Sequence, residues 1–413
     1  MLRHLRALAL DIGPLRRRRE FRLLYTGQAV SFAGSMITYV AIPFQVYELT
    51  RSTLAVGLLG LAELAPLLVT ALVGGALADA HDRRRLVLIA DATLLVLALA
   101  LVANALLAEP QVWVLFVVAS GMTAAGGLQR PALDSMVPRL VPREELPAAS
   151  ALESFRGNAG QIAGPALAGV LIAGAGLGAT YAVDAATFLV SLVALARMRA
   201  VPPPPDAAPP SVARIAEGWR YARGRQDLTG TYLVDINAML FAMPIALFPA
   251  VAERYGGPEV LGLLYAAGPV GALLLTLTSG WTARVTRQGR AIAVSAAAGG
   301  AAIAGFGLAG PLPLARAFLA IAGAADMSSG IFRMTMWNQT IPDSLRGRLA
   351  GVEQLSYSIG PTLGTTQSGA VAAVAGVRTS LVAGGVLCVA GTVALCALMP
   401  RFWRYDARVP VSA

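Results

Sequence analysis

The sequence predicts an all-α membrane protein of twelve transmembrane helices, arranged as two pseudo-symmetric six-helix bundles. Three observations carry this. Of 413 residues, 56% are hydrophobic and only 14% charged, where soluble domains carry about 25% charged residues. Apolar runs of roughly 18 residues or more recur along the whole chain, long enough to cross a bilayer as helix. The two halves of the chain also repeat one another.

The elements follow in order. The opening "MLRHLRALALDIGPLRRRREFRLLY" is basic, but Asp11 and Pro14 break its apolar stretch and no small-residue cleavage site follows. It reads as a cytoplasmic arm, 1–21, rather than a targeting signal. Breaks at proline, glycine and charge clusters then delimit spans at roughly 22–48, 54–78, 86–107, 111–135, 150–173 and 180–198, and again at roughly 228–252, 259–283, 291–309, 314–337, 349–374 and 379–399. The halves are thus 22–198 and 228–399, followed by a tail, 400–413. Between the halves, 199–227 opens with a stiff proline run, "VPPPPDAAPP", and continues as a basic amphipathic segment expected to lie on the membrane surface.

Every one of the 33 basic residues is arginine. With the N-terminus inside, 26 of them fall in cytoplasmic loops and tails; only Arg51, Arg254, Arg316 and Arg378 reach the other face. The positive-inside rule then places both ends in the cytoplasm. Arginine at loop–membrane junctions explains the net charge of +10 without nucleic acid. The absence of lysine excludes a Walker A loop and Schiff-base catalysis. Cys388 and Cys396 share the last apolar run, and His4 and His81 lie far apart, so neither a disulfide framework nor a metal site is expected.

The repeat is visible at three places. "VGLLGLAELAPLLVTALVGGALAD" matches "LGLLYAAGPVGALLLTLTSGWTAR" 205 residues on. "GGLQRPALDSMVP" matches "SGIFRMTMWNQTIP", pairing Arg130 with Arg333 and Pro138 with Pro342. "AGPALAG" matches "IGPTLGT" 196 residues on. Three matches in order indicate duplication of a six-span unit.

Between the second and third spans lies "GALADAHDRRR", Gly75 to Arg85. It resembles the loop signature of the major facilitator superfamily, Gly-x-Leu-Ala-Asp-(Arg/Lys)-x-Gly-Arg-(Arg/Lys), although Ala80 and Asp82 depart from it. Six plus six spans around a cytoplasmic linker is that superfamily's layout. The resemblance implies two halves that rock around a midplane site. It also implies a reversible cytoplasmic latch of Gly75, Asp79, Arg83 and Arg84 against Arg346 and Arg348 at the N-terminus of the eleventh span. A carboxylate is favoured at a helix N-terminus; topology alone is the competing account of Arg83 to Arg85.

In the fifth span, Gly160, Gly164, Pro165 and Gly169 resemble the Gly-x-x-x-Gly-Pro-x-x-Gly-Gly signature of family exporters, with Ala168 replacing the first paired glycine. Close helix packing explains the same glycines. Ionisable groups within spans usually face a cavity. Glu63, Asp235 and Asp326 lie deep, and Arg130 and Arg333 lie toward the cytoplasmic third. Spans one, four, seven and ten line the superfamily's cavity, so the resemblance places Arg130, Asp235, Asp326 and Arg333 near it. Gln28, Thr123, Asn237, Met239 and Trp337 are weaker lining candidates. Proton antiport would use Asp235 or Asp326, unless a neighbouring arginine pairs permanently with it; Glu63 reads as structural first. Asp91, Asp134, Glu153 and Arg156, near span ends, receive only interfacial roles.

Within the superfamily, "LGLLYAAGPVGALLLTLTSGWTARVTRQGR" and the proline-rich linker resemble the enterobactin exporter group. The first span is also similar to that of macrolide and multidrug pumps. The resemblance implies a monomeric exporter in the bacterial cytoplasmic membrane, moving a siderophore or similar metabolite against protons without a cofactor. Drug or macrolide efflux is the alternative. No enzyme is expected, since no nucleophile and base or metal-ligand set is evident in the spans.

Overall fold

The computed structural model describes residues 10–202, 223–341 and 343–408, with the backbone alone at 71–72, 75–76, 78–79 and 343–358. The described residues contain helices and no strand. In a bilayer every backbone polar group must find its partner internally, and a helix achieves this within one segment.

After a short helix, Gly13–Arg17, come α1 (Arg19–Thr50), α2 (Thr53–Ala80), α3 (Arg83–Ala105) and α4 (Val112–Leu140). A continuous helical stretch, Leu146–Ala196, follows. Gly176 breaks it at φ +78°, giving α5 (146–175) and α6 (177–196). At 1.5 Å per residue the 51-residue stretch would far exceed the roughly 30 Å hydrocarbon core. The expected loop at 174–179 is therefore reduced to one left-handed glycine.

The second half holds α7 (Gln226–Phe241), α8 (Pro258–Leu277), α9 (Gln288–Leu308), α10 (Leu312–Thr340), α11 (Asp343–Ala375) and α12 (Val377–Leu398). Ten segments among the described residues are long and apolar enough to cross a membrane. One of these is the broken pair α5–α6, and α11 lies partly outside the residues searched.

Two expectations need correction. The seventh span is not one helix: it stops at Phe241, passes through a turn at Ile245–Leu247 and resumes as Phe248–Tyr255. Pro244 and Pro249 cannot donate to a helical ladder and disfavour helix in the residue before them. The tail is also more than a tail. Phe402, in a short helix Pro400–Trp403, is fully buried with Val234, Ile292 and Phe332. The expected surface helix after the proline run falls within 203–222, outside the described residues, as does the start of the basic arm at 1–9.

The chain divides into two compact units. Unit 1 comprises 1–42 and 65–210. Its core joins α1, α3, α4 and α6 through Leu24, Val87, Ala132, Met136 and Leu195. A second cluster, Leu94, Ala98, Ala125, Ala185 and Phe188, continues along α3, α4 and α6. The exporter-like glycines serve the packing of α5 on α1: a Cβ at Gly160 would lie 2.4 Å from Phe32 and one at Gly164 2.3 Å from Met36. Unit 2 comprises 43–64 and 211–413. Residues 43–64, from the α1–α2 hairpin, are held there by Thr53 Oγ1 donating to Gly369 O (3.1 Å) and Thr366 Oγ1 to Gly57 O (2.9 Å). Arg51 pairs with Glu253 at 2.5 Å, and Tyr47 OH donates to the same carboxylate at 3.2 Å.

Candidate transport site

The loop that carries the superfamily-like signature turns at Asp82. Its side chain accepts from the Arg85 N–H at 3.1 Å and caps α3. Asp82 is thus a helix-starting residue in its own right, which accounts for its presence where the signature has glycine. The Arg83 side chain is buried. Arg84 donates from Nε to Leu195 O and from Nη2 to Ala196 O, both at 2.7 Å, capping the C-terminal end of α6. A cation there also meets the favourable end of the helix dipole. Arg84 therefore joins two helices of unit 1. The side chains of Gly75, Asp79, Arg346 and Arg348, the other members of the expected latch, lie outside the described residues.

Unit 1 contains a buried polar network that the sequence reading missed. Asp91 on α3 is completely buried. It accepts from Ser191 Oγ on α6 at 2.6 Å, from Gln28 Nε2 on α1 at 3.3 Å, and from Gln129 Nε2 on α4. Gln28 also donates to Ser191 at 3.1 Å. Gln28 therefore belongs inside the bundle, not on a cavity wall. Asp184 on α6 is equally buried and accepts from Thr38 Oγ1 on α1 at 2.5 Å and from Thr187 at 3.3 Å. Asp91 lies too near a span end to stand out by depth, and Asp184 sits among residues with no motif. The signal available was a carboxylate in an apolar helix with Gln, Ser or Thr at matching depth in other spans.

A second set of charges in unit 1 lies on α4 and α5. Arg130 and Asp134, one turn apart on α4, are both exposed. Arg130 and Arg156 are both within electrostatic reach of Asp134. Arg156 on α5 binds Glu153 through two nitrogens, at 2.9 and 2.6 Å, and its guanidinium lies 5.6 Å from the Phe32 ring centroid. A Cβ at Gly126, one turn before Arg130, or at Gly157 would meet nothing within 4 Å. Exposed charges within spans require water rather than lipid around them. This face of α1, α4 and α5 carries the exposed Arg130 and Asp134 beside the partly buried Arg156–Glu153 pair and the Phe32 ring.

In unit 2 the counterpart arginine has turned inward. Arg333 on α10 and Asp235 on α7 form an ion pair, with both side chains almost completely buried. Seven residues put Asp326 and Arg333 on one face of α10, yet Asp326 stays exposed and has no hydrogen-bond or ion-pair partner among the described residues. Glu63 on α2 is partly buried and engaged in an interaction.

Three of the weaker lining candidates are packing groups instead. Trp337 stacks on Tyr232 at 5.1 Å and donates to Thr231 Oγ1 at 2.9 Å. Asn237 donates to Cys388 O (2.9 Å) and Thr392 Oγ1 (3.2 Å). Met239 fills the space left by Gly360, whose Cβ would meet its sulfur at 2.8 Å. Thr123 is partly buried. Among the described residues no group of His, Cys, Asp and Glu could hold a metal ion.

Paired helical units with charges within the spans define a polytopic transporter of the major facilitator class. Solved structures of that fold align along nearly the whole chain. A POT family transporter in complex with 5-aminolevulinic acid aligns with a TM-score of 0.71 and 13% identity, covering 93% of this chain and 97% of that one. A bacterial homologue of the iron transporter ferroportin, in an inward-facing state, gives 0.67 and 15%, covering 93% and 98%. The sequence profile of the transmembrane secretion effector family matches residues 10–410, and the chain belongs to that family. Among curated relatives, enterobactin exporter EntS of Citrobacter koseri is 29% identical over 406 residues, 97% of each chain. The EntS of Shigella boydii is 29% identical over 367 residues, 88% of each.

Proposed function

We propose that this chain exports a siderophore of the enterobactin type, or a related secondary metabolite, across the bacterial cytoplasmic membrane by alternating access. The observation that carries the reading is end-to-end similarity: the likeness to an enterobactin exporter spans 97% of both chains. The charged face of unit 1 supports it chemically. Catecholates are anionic and aromatic, and Arg130 with the Arg156–Phe32 pair offers a charge and a ring surface suited to both.

Energy would come from protons entering as the cargo leaves, with no cofactor. Asp235 is already neutralised by Arg333, so the coupling role falls to the exposed Asp326. Both termini lie in the cytoplasm in this proposal, as the arginine distribution argues, and the working unit is a monomer. The latch that the signature implies has its own test: Asp79→Asn at equal expression should cut transport while sparing insertion.

The test compares a deletion strain with its parent under iron starvation. Secreted siderophore is measured by mass spectrometry beside accumulation of a dye and a macrolide. A siderophore defect with normal dye and macrolide handling is expected, and Asp326→Asn should fail to restore secretion. Normal secretion with raised drug accumulation would transfer the assignment to drug efflux. Efflux unaffected by a protonophore would remove the proton.

A further inference from the structure

At the ends of α7 and α12 the protein has a pocket of about 280 Å³, lined by Arg223, Gly224, Gln226, Thr229, Met399 and Arg401. It is built by sequence-local means. Gln226 bridges the two segments, donating to Leu398 O (3.3 Å) and accepting from the Arg401 N–H (2.9 Å). That clamp holds the residue after Pro400 beside the first turn of α7. Arg223 and Arg401 are exposed, and neither guanidinium has a hydrogen-bond or ion-pair partner among the described residues.

Among the described residues no acidic side chain lines the pocket. The nearest carboxylate in sequence, Asp227, is held by Arg225. The two arginines, unpaired among the described residues, thus share one pocket with Met399. An arginine fork matches the oxygens of a phosphate. The pocket also sits where two spans end, the depth of lipid headgroups, and Trp403 lies nearby with Arg290 stacked 5.3 Å from its ring centroid.

We propose that this pocket binds the phosphate of an anionic phospholipid headgroup, with Arg223 and Arg401 as its ligands and Met399 against the glycerol. The site is independent of the cargo. A basic pocket between span ends is suited to such headgroups, and an apolar wall beside the phosphate favours a lipid over free phosphate.

The full-length protein, purified in mild detergent, is titrated with phosphatidylglycerol, phosphatidylcholine or inorganic phosphate, and bound adducts are counted by native mass spectrometry. Phosphatidylglycerol is expected to bind to wild type in preference to phosphatidylcholine. The pair Arg223→Gln and Arg401→Gln should weaken it about 25-fold, at roughly fivefold per arginine. Lysine at both positions should retain most of the binding. The control pair Arg316→Gln and Arg378→Gln removes the same charge elsewhere and should leave binding unchanged. Equal loss in the control would reduce the effect to net charge and overturn the proposal. Inorganic phosphate displacing the lipid at equal concentration would overturn the lipid assignment. Both positions are exposed, so an unchanged melting curve in detergent verifies that the variants fold.

Discussion

Arg130 and Arg333 occupy the same place in the repeat, yet one is exposed and the other is almost fully buried. The difference begins one helix away. Unit 2 supplies Asp235 on α7 as a buried partner for Arg333; about 205 residues earlier, the corresponding stretch of α1 has Val30 and Ser31. Burying Arg130 there would leave its charge without the carboxylate that meets Arg333. Unit 1 instead buries carboxylates, Asp91 and Asp184, and meets them with neutral donors. Duplicated halves have therefore solved the burial of polar groups in opposite ways. Unit 1 leaves Arg130 exposed, while unit 2 buries Arg333 against a carboxylate.

The comparison can be broken most sharply at the ion pair. Asp235→Ala would leave a buried cation uncompensated and should cost about 3–5 kcal/mol, read as a large fall in the melting temperature of the purified protein. Replacing both partners with Leu and Met should recover most of that loss. If the double variant melts as low as the single one, Arg333 is held by something other than Asp235.

Asp91→Asn tests the neutral network at smaller scale. The amide retains one acceptor and turns an NH2 toward groups that were donating, so a loss of about 1–3 kcal/mol is expected. Ser191→Ala in the same background should then cost less than it does in wild type, because the two groups share a bond. Additive losses would show that they act separately.

At the α1–α2 hairpin, Glu253→Gln breaks an exposed pair, with side chains 64% and 55% accessible. Its effect on melting should be only about 0.2–1 kcal/mol, and salt should reduce it further. The smallest stability effect belongs to Arg130→Gln, within about 0.5 kcal/mol of wild type, together with a marked loss of cargo export. Equal melting losses at positions 130 and 333 would erase the asymmetry between the units.

Much of this was legible in the residues. Apolar run length located the spans because the hydrocarbon thickness leaves little choice of helix length. The offset repeat alone pairs Arg130 with Arg333. Helix breaks were read less well: α5 and α6 meet at one glycine, and the seventh span is interrupted by Pro244. Those details depend on how neighbouring elements tolerate a kink. The polar residues were read least well. Depth in a span does not say which way a side chain turns, so Gln28 and Trp337 read as cavity-wall residues and Asp91 as an interfacial one, while Asp184 carries no motif at all.

By itself, then, the sequence determined that this chain is a helical membrane protein with an internal repeat and charges inside its spans. Hydrophobic length and charge bias act locally along the chain, so each can be read one segment at a time. The tertiary structure alone decided that Asp235 takes Arg333, that four helices of unit 1 close on Asp91, and that Phe402 returns into the core. Such pairings depend on rotation of one helix against another, which side-chain packing sets and no single segment encodes.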